Sequence, residues 1–123
     1  MIRYNAENER VKRSYFDYQR EAGGKSEATL RGMEMALQRY ETYTGFKDFG
    51  TFNKKQAVAF KKHLIGTLAQ RDKKPLSKAT IQHTLSALKD FFIWLNREPG
   101  YRRSIPVRDT EYLNYSEKEA RAA

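Results

Sequence analysis

Eight tyrosines, two histidines and 24 lysines and arginines are the side chains through which this 123-residue chain could do chemistry. Tyrosine can act as a nucleophile, histidine as an acid–base group or metal ligand, and clustered cations as a grip on phosphate. The spacing removes most of these options. His63 and His83 fall in separate helical patterns and there is no cysteine, so neither a zinc site nor a disulfide framework can be assembled. No glycine-rich phosphate loop, metal-ligand spacing or paired-carboxylate signature occurs, and no cofactor is expected. Most tyrosines fall on apolar stripes, and Tyr112 and Tyr115 lie in the C-terminal tail, where an isolated phenol is a poor nucleophile. The cations remain. They outnumber the 15 acidic residues and give a formal net charge of +9. A field of that sign gathers polyanions, so nucleic acid is the first partner to expect and an anionic membrane the second.

The elements that must carry these groups read as four helices with short connections and no strand pattern. The first runs from Ala6 to Ala22, with Tyr4, Val11, Tyr15, Tyr18 and Ala22 near one side, and Gly23-Gly24 closing it. The second starts from Ser26 as N-cap, carries a stripe of Leu30, Met33, Leu37 and Tyr40, and stops at Gly45. Phe46, Phe49 and Phe52 make the next connection a core plug. The third helix follows Asn53, which with Gln56 resembles a capping box. Its face is Ala57, Phe60, Leu64 and Leu68, with Val58 and Ile65 beside it. A basic loop, Gln70 to Pro75, leads to a fourth helix capped by Ser77. That helix has the most regular stripe, Ile81, Leu85, Leu88, Phe92 and Leu95, widened by Phe91 and Trp94. Pro99-Gly100 ends it. From Ser104 the sequence favours an extended segment, because Ile105 precedes proline. The expected fold is a compact all-α bundle of four to five helices with an extended C-terminal tail. Residues 1–103 form the domain and 104–123 a linker. With no apolar run near the roughly 20 residues of a membrane span and no signal peptide, a cytoplasmic location is expected.

Two helix faces fit the expected partner. With Ile81, Leu85 and Leu88 inward, Ala79, Gln82, His83 and Ser86 point outward, a small and hydrogen-bonding surface suited to the major groove. Lys73, Lys74 and Lys78 stand at the helix start and Lys89 on its flank, to meet phosphates. On the second helix, Arg31, Met35, Gln38 and Arg39 point outward, Thr29 sits in the first turn, and Gly32 offers close backbone approach. Either face alone reads equally as a solvated helix side that is merely basic.

The run Leu76-Ser77-Lys78-Ala79-Thr80-Ile81-Gln82-His83-Thr84-Leu85-Ser86-Ala87-Leu88-Lys89-Asp90-Phe91-Phe92-Ile93-Trp94-Leu95 resembles the last major helix of the core-binding domains of tyrosine recombinases, the phage integrases. Ser26, Thr29, Met33, Leu37 and Tyr40 are similar to that family's second helix, with Met33 in place of the usual aromatic. Phe52, Gln56, Phe60 and Leu64 match its third. The similarity spans residues 6 to 103. It implies a SAM-like helical fold that, with a catalytic domain, forms a clamp around a recombination site. Carried over by position, the implied DNA contacts are Thr29, Arg31, Gly32 and Met35, and Lys78, Ala79, Thr80, Gln82, His83 and Ser86. Thr80 is implied to serve a phosphate.

The family's chemistry needs a tyrosine nucleophile, two arginines, a lysine and a His-x-x-Arg box. Here His63 is followed three residues later by Gly66 and His83 by Ser86. The chain by itself is therefore expected to bind DNA, as a monomer, without cutting or joining it. Its implied partners are a double-stranded recombination half-site and, in a longer parent, other protomers. The alternatives are a stand-alone helical DNA-binding regulator and a protein-interaction module, because fold does not fix function.

Overall fold

The computed structural model describes residues 5–67, 74–101 and 104–115, so Tyr4, Leu68 and Lys73 lie outside the described residues. Four α-helices form among the described residues: α1 (Ala6–Glu21), α2 (Glu27–Thr44), α3 (Lys54–Gly66) and α4 (Lys78–Asn96). Each begins at a polar cap whose side-chain oxygen accepts the amide three residues on: Asn5 from Asn8, Ser26 from Thr29, Asn53 from Gln56 and Ser77 from Thr80. These bonds satisfy donors that the first turn of a helix leaves open. The capping box expected at Asn53 is half made. The Gln56 side chain does not turn back to Asn53; its Oε1 accepts the Tyr40 hydroxyl instead. Gly45 ends α2 at a φ of 74°, and the Phe46 amide bonds back to the Glu41 carbonyl at 2.8 Å.

The core is built around α4. Ile81, Leu85, Leu88, Phe92 and Leu95 are all buried, as is Phe91, while Trp94 is half-buried. Phe49 and Phe52, one in and one just after a 3-10 turn (Phe49–Thr51), plug the centre. The Phe52 and Phe92 rings stack at 4.0 Å between centroids, and Phe49 meets Phe91 edge-on at 4.8 Å. Tyr40 closes the cluster from α2, with its ring edge-on to Phe92 at 5.4 Å. Such tilted and offset aromatic pairs add to the gain from area burial alone. Two expectations for α1 fail. Tyr18 is 51% exposed and Ala22 is an exposed C-cap. Only the N-terminal two-thirds of that stripe meets the bundle, through Val11 and Tyr15.

Tyr15 gives the fold a sensitivity to alkali. Burial first, and then the charge of Asp90, push its phenol up to about 12, above an unfolded value of about 10. The neutral phenol fits the core, so its contribution is complete below pH ~10 and is lost as the pH climbs from ~10 through ~12. The melting temperature should fall across that window, and Tyr15→Phe should reduce the fall. An unchanged profile in the variant would exclude Tyr15 as a source.

A polar cluster is sealed beneath the end of α2. The Asn8 side chain, fully buried, donates to the Lys47 carbonyl at 2.8 Å and to Glu41 at 3.4 Å, and accepts the Phe49 amide at 3.0 Å. Glu41, 1% exposed, is met by the Lys12 ammonium at 2.6 Å, which also reaches Glu9 at 2.8 Å. Burial works against the charge on Lys12, but its bonds to Glu41 and Glu9 outweigh it and hold the pKa above the usual lysine value. α1, the end of α2 and the Lys47–Phe49 connection are thereby tied at one point.

The C-terminal segment is extended at Pro106 and then turns into a 3-10 helix, Val107–Leu113, that packs on α3 and α4. Ile105, Thr110 and Leu113 are buried. Asp109 accepts the Lys54 amide at 2.9 Å and so helps cap α3, while the Lys54 ammonium lies 4.8 Å from the centroid of the Tyr112 ring. Asn114, which follows, accepts Lys61 on its carbonyl at 2.6 Å and Lys89 on its side chain at 2.8 Å. This strap belongs to the bundle, where the sequence pattern gave an extended tail. Its amphipathic run is too short to announce itself by periodicity.

Candidate nucleic-acid interface

The two outward faces read from the sequence meet where α2 and α4 cross. α2 and α4 pack against each other, and the imidazole of His83 lies over Gly32: a Cβ added there would come within 3.0 Å of Nε2 and 3.4 Å of Cε1. A second crossing brings Arg39 from α2 to the Thr84 hydroxyl of α4 at 3.5 Å. Gly32 and the buried Ala36 stand one turn apart and give α2 a ridge of small residues on which another helix can approach closely.

Most of the expected site residues are exposed on this surface. They are Thr29, Arg31 and Met35 on α2, and Lys78, Ala79, Gln82, His83 and Ser86 on α4, with Lys74 just before it. Met35 is 56% exposed, on a helix whose other face fills the core. Arg39 and Thr80 are half-buried. The Thr80 hydroxyl is in contact with its cap, 2.9 Å from Ser77 Oγ, and Thr29 stands likewise 3.1 Å from Ser26 Oγ. The two helices thus open with the same Ser-x-x-Thr arrangement. Two expected contacts are placed differently. Lys89 is directed to Asn114 on the strap, and the space above Gly32 is taken by His83. Lys73 is outside the described residues.

The positive character of the α4 face is confined to its first half. One turn past Ser86 the same side carries Asp90, and beyond it α4 packs against α1. There Trp94, Ile93 and the exposed Tyr18 line an open groove of about 510 Å³ that also meets Asp90, Arg97 and Glu98. Tyr18 and Trp94 stand 6.3 Å apart between ring centroids. Among the described residues, no group of three histidine, aspartate or glutamate side chains could hold a metal ion. No helix among them is long and apolar enough to cross a membrane.

A family model for the phage integrase N-terminal SAM-like domain matches residues 13–99. The chain belongs to this family. The match runs from the middle of α1 to just past α4, so it takes in both helices of the surface and stops before the strap. It concerns the SAM-like domain, and the all-helical architecture of the described residues agrees with it. No curated protein and no solved structure matches the chain.

Sequence reasoning did not find the contacts that join α2 to α4. Helical rotation and the family resemblance point to Gly32 and His83 one by one, and nothing in a single helical period shows that they meet. The signal available was the small pair Gly32 and Ala36, four residues apart on α2. The buried polar residues Asn8, Glu41, Thr84 and Thr110 were missed as well.

Proposed function

We propose that this SAM-like domain binds double-stranded DNA through the joined face of α2 and α4, as the core-binding part of a site-specific tyrosine recombinase. The observation that carries the reading is that two groove-compatible helix faces, found independently, lie side by side at Gly32 and His83. A major groove about 12 Å wide admits one helix, and a second helix beside it can follow the flanking backbone. Arg31, Arg39, Lys74 and Lys78 supply the charge for phosphates, and the N-termini of both helices add their partial positive charge. Gln82, His83 and Ser86 are the groups for base edges, and Met35 can cover a thymine methyl. In a longer protein of this family, cutting and joining would belong to a catalytic domain reached through the segment after the strap. The neighbours would be other protomers on the same recombination site. This part acts as a monomer, in the cytoplasm where the DNA is.

The test is binding of a fluorescent duplex of random sequence across a salt series. Log affinity should fall linearly with log salt, with a slope of about 3 to 4, because four cations each releasing one counterion contribute about 0.9 apiece. Absence of binding at low salt would overturn the reading. It would favour the second one, a protein-interaction module, for which the specific observation is the groove of Tyr18, Ile93 and Trp94.

A further inference from the structure

The Nε2–Cε1 edge of His83 rests so close to Gly32 that a methyl group at that position would meet the ring at 3.0 Å. Cβ contacts that short are uncommon, so the imidazole would have to give way by a few tenths of an ångström. A glycine in mid-helix is otherwise a liability, because it favours the helix far less than alanine does. Gly32 adopts no left-handed φ that would require glycine. The space it leaves is filled by a side chain from the other helix of the surface.

We propose that Gly32 is a positioning residue: by leaving room for the imidazole, it fixes His83 across α2 and α4 in the orientation from which His83 reads DNA. This rests on the DNA-binding reading above and assigns Gly32 a role distinct from direct contact. His83 is exposed, so without a seat its ring would sample several rotamers, and fixing it would be an entropic cost of binding. Seating it on a bare backbone removes part of that cost. Gly32 therefore acts through another residue and not through the duplex.

The experiment is a double-mutant cycle of Gly32→Ala and His83→Ala, read as affinity for the duplex that the unaltered chain enriches from a randomised library. Each single variant should bind about tenfold more weakly, which is 1.4 kcal/mol. The double variant should bind no more weakly than His83→Ala, because once the ring is gone the methyl has nothing to displace. Gly32→Ala should melt at the same temperature or higher, since alanine favours the helix, which separates lost binding from lost folding. Additive losses, near a hundredfold in the double variant, would overturn the positioning role while leaving DNA binding intact. Unchanged affinity in Gly32→Ala would do the same. Failure of the unaltered chain to bind any duplex at low salt would instead overturn the DNA reading and this inference with it.

Discussion

Replacing Arg31, Lys78 and Gln82 together by alanine should weaken duplex binding by a hundred- to a thousandfold at moderate salt, with the melting temperature nearly unchanged. All three side chains are exposed, on two helices whose opposite faces form the core. Surface changes of this kind usually alter stability by less than about 0.5 kcal/mol. Losing two charge-assisted contacts at about 1.5 kcal/mol each, and about 1 kcal/mol from a glutamine at a base edge, gives roughly 4 kcal/mol. That is close to three factors of ten. The three residues also separate by behaviour. Loss of Arg31 and Lys78 should reduce the salt slope by about 2 and act on every sequence alike, while loss of Gln82 should relax preference at one base pair. Affinity that survives the triple change would remove this surface from consideration.

Asn8→Ala should destabilise the fold by about 3 kcal/mol. The amide is fully buried and answers two backbone groups at once, the Lys47 carbonyl and the Phe49 amide, besides touching Glu41. Alanine would leave both backbone groups in the interior with no partner, at about 1–3 kcal/mol each, partly recovered if water enters. The loss is a large share of the 5–15 kcal/mol that holds a typical domain together. Thermal or urea unfolding should show it as a shifted midpoint. A change below about 0.5 kcal/mol would mean that the cluster is dispensable to the fold.

Asn8 also shows where reading the sequence stops. On α1 it looks like any polar side chain between Glu7 and Glu9, and its partners lie 33 to 41 residues away. What was legible was local. Ser26 and Ser77 announce their helices because a cap and its amide are three residues apart. The α4 stripe predicts its buried residues because one face of a long helix meets the same core throughout. Tyr18 defeats the same logic. It continues the period of Val11 and Tyr15, but it overhangs the bundle, where a phenol can cover Trp94 with its ring and keep its hydroxyl in water. The surface proposed for DNA lies between these extremes. Its side chains could be selected from helical rotation alone, whereas their assembly into one face depends on a contact between helices.

That assembly has a thermodynamic side. Arg39 and Thr84 are 45 residues apart in the chain, and neither α2 nor α4 alone carries the joined face. If the joined face binds a duplex as proposed, an unfolded or half-open chain would offer only scattered cations, and the native state would be the one that binds. Binding and folding are then linked equilibria, and a bound duplex holds the α2–α4 interface closed in proportion to its own saturation. A duplex ligand of the proposed kind would thus also select the folded population of the domain.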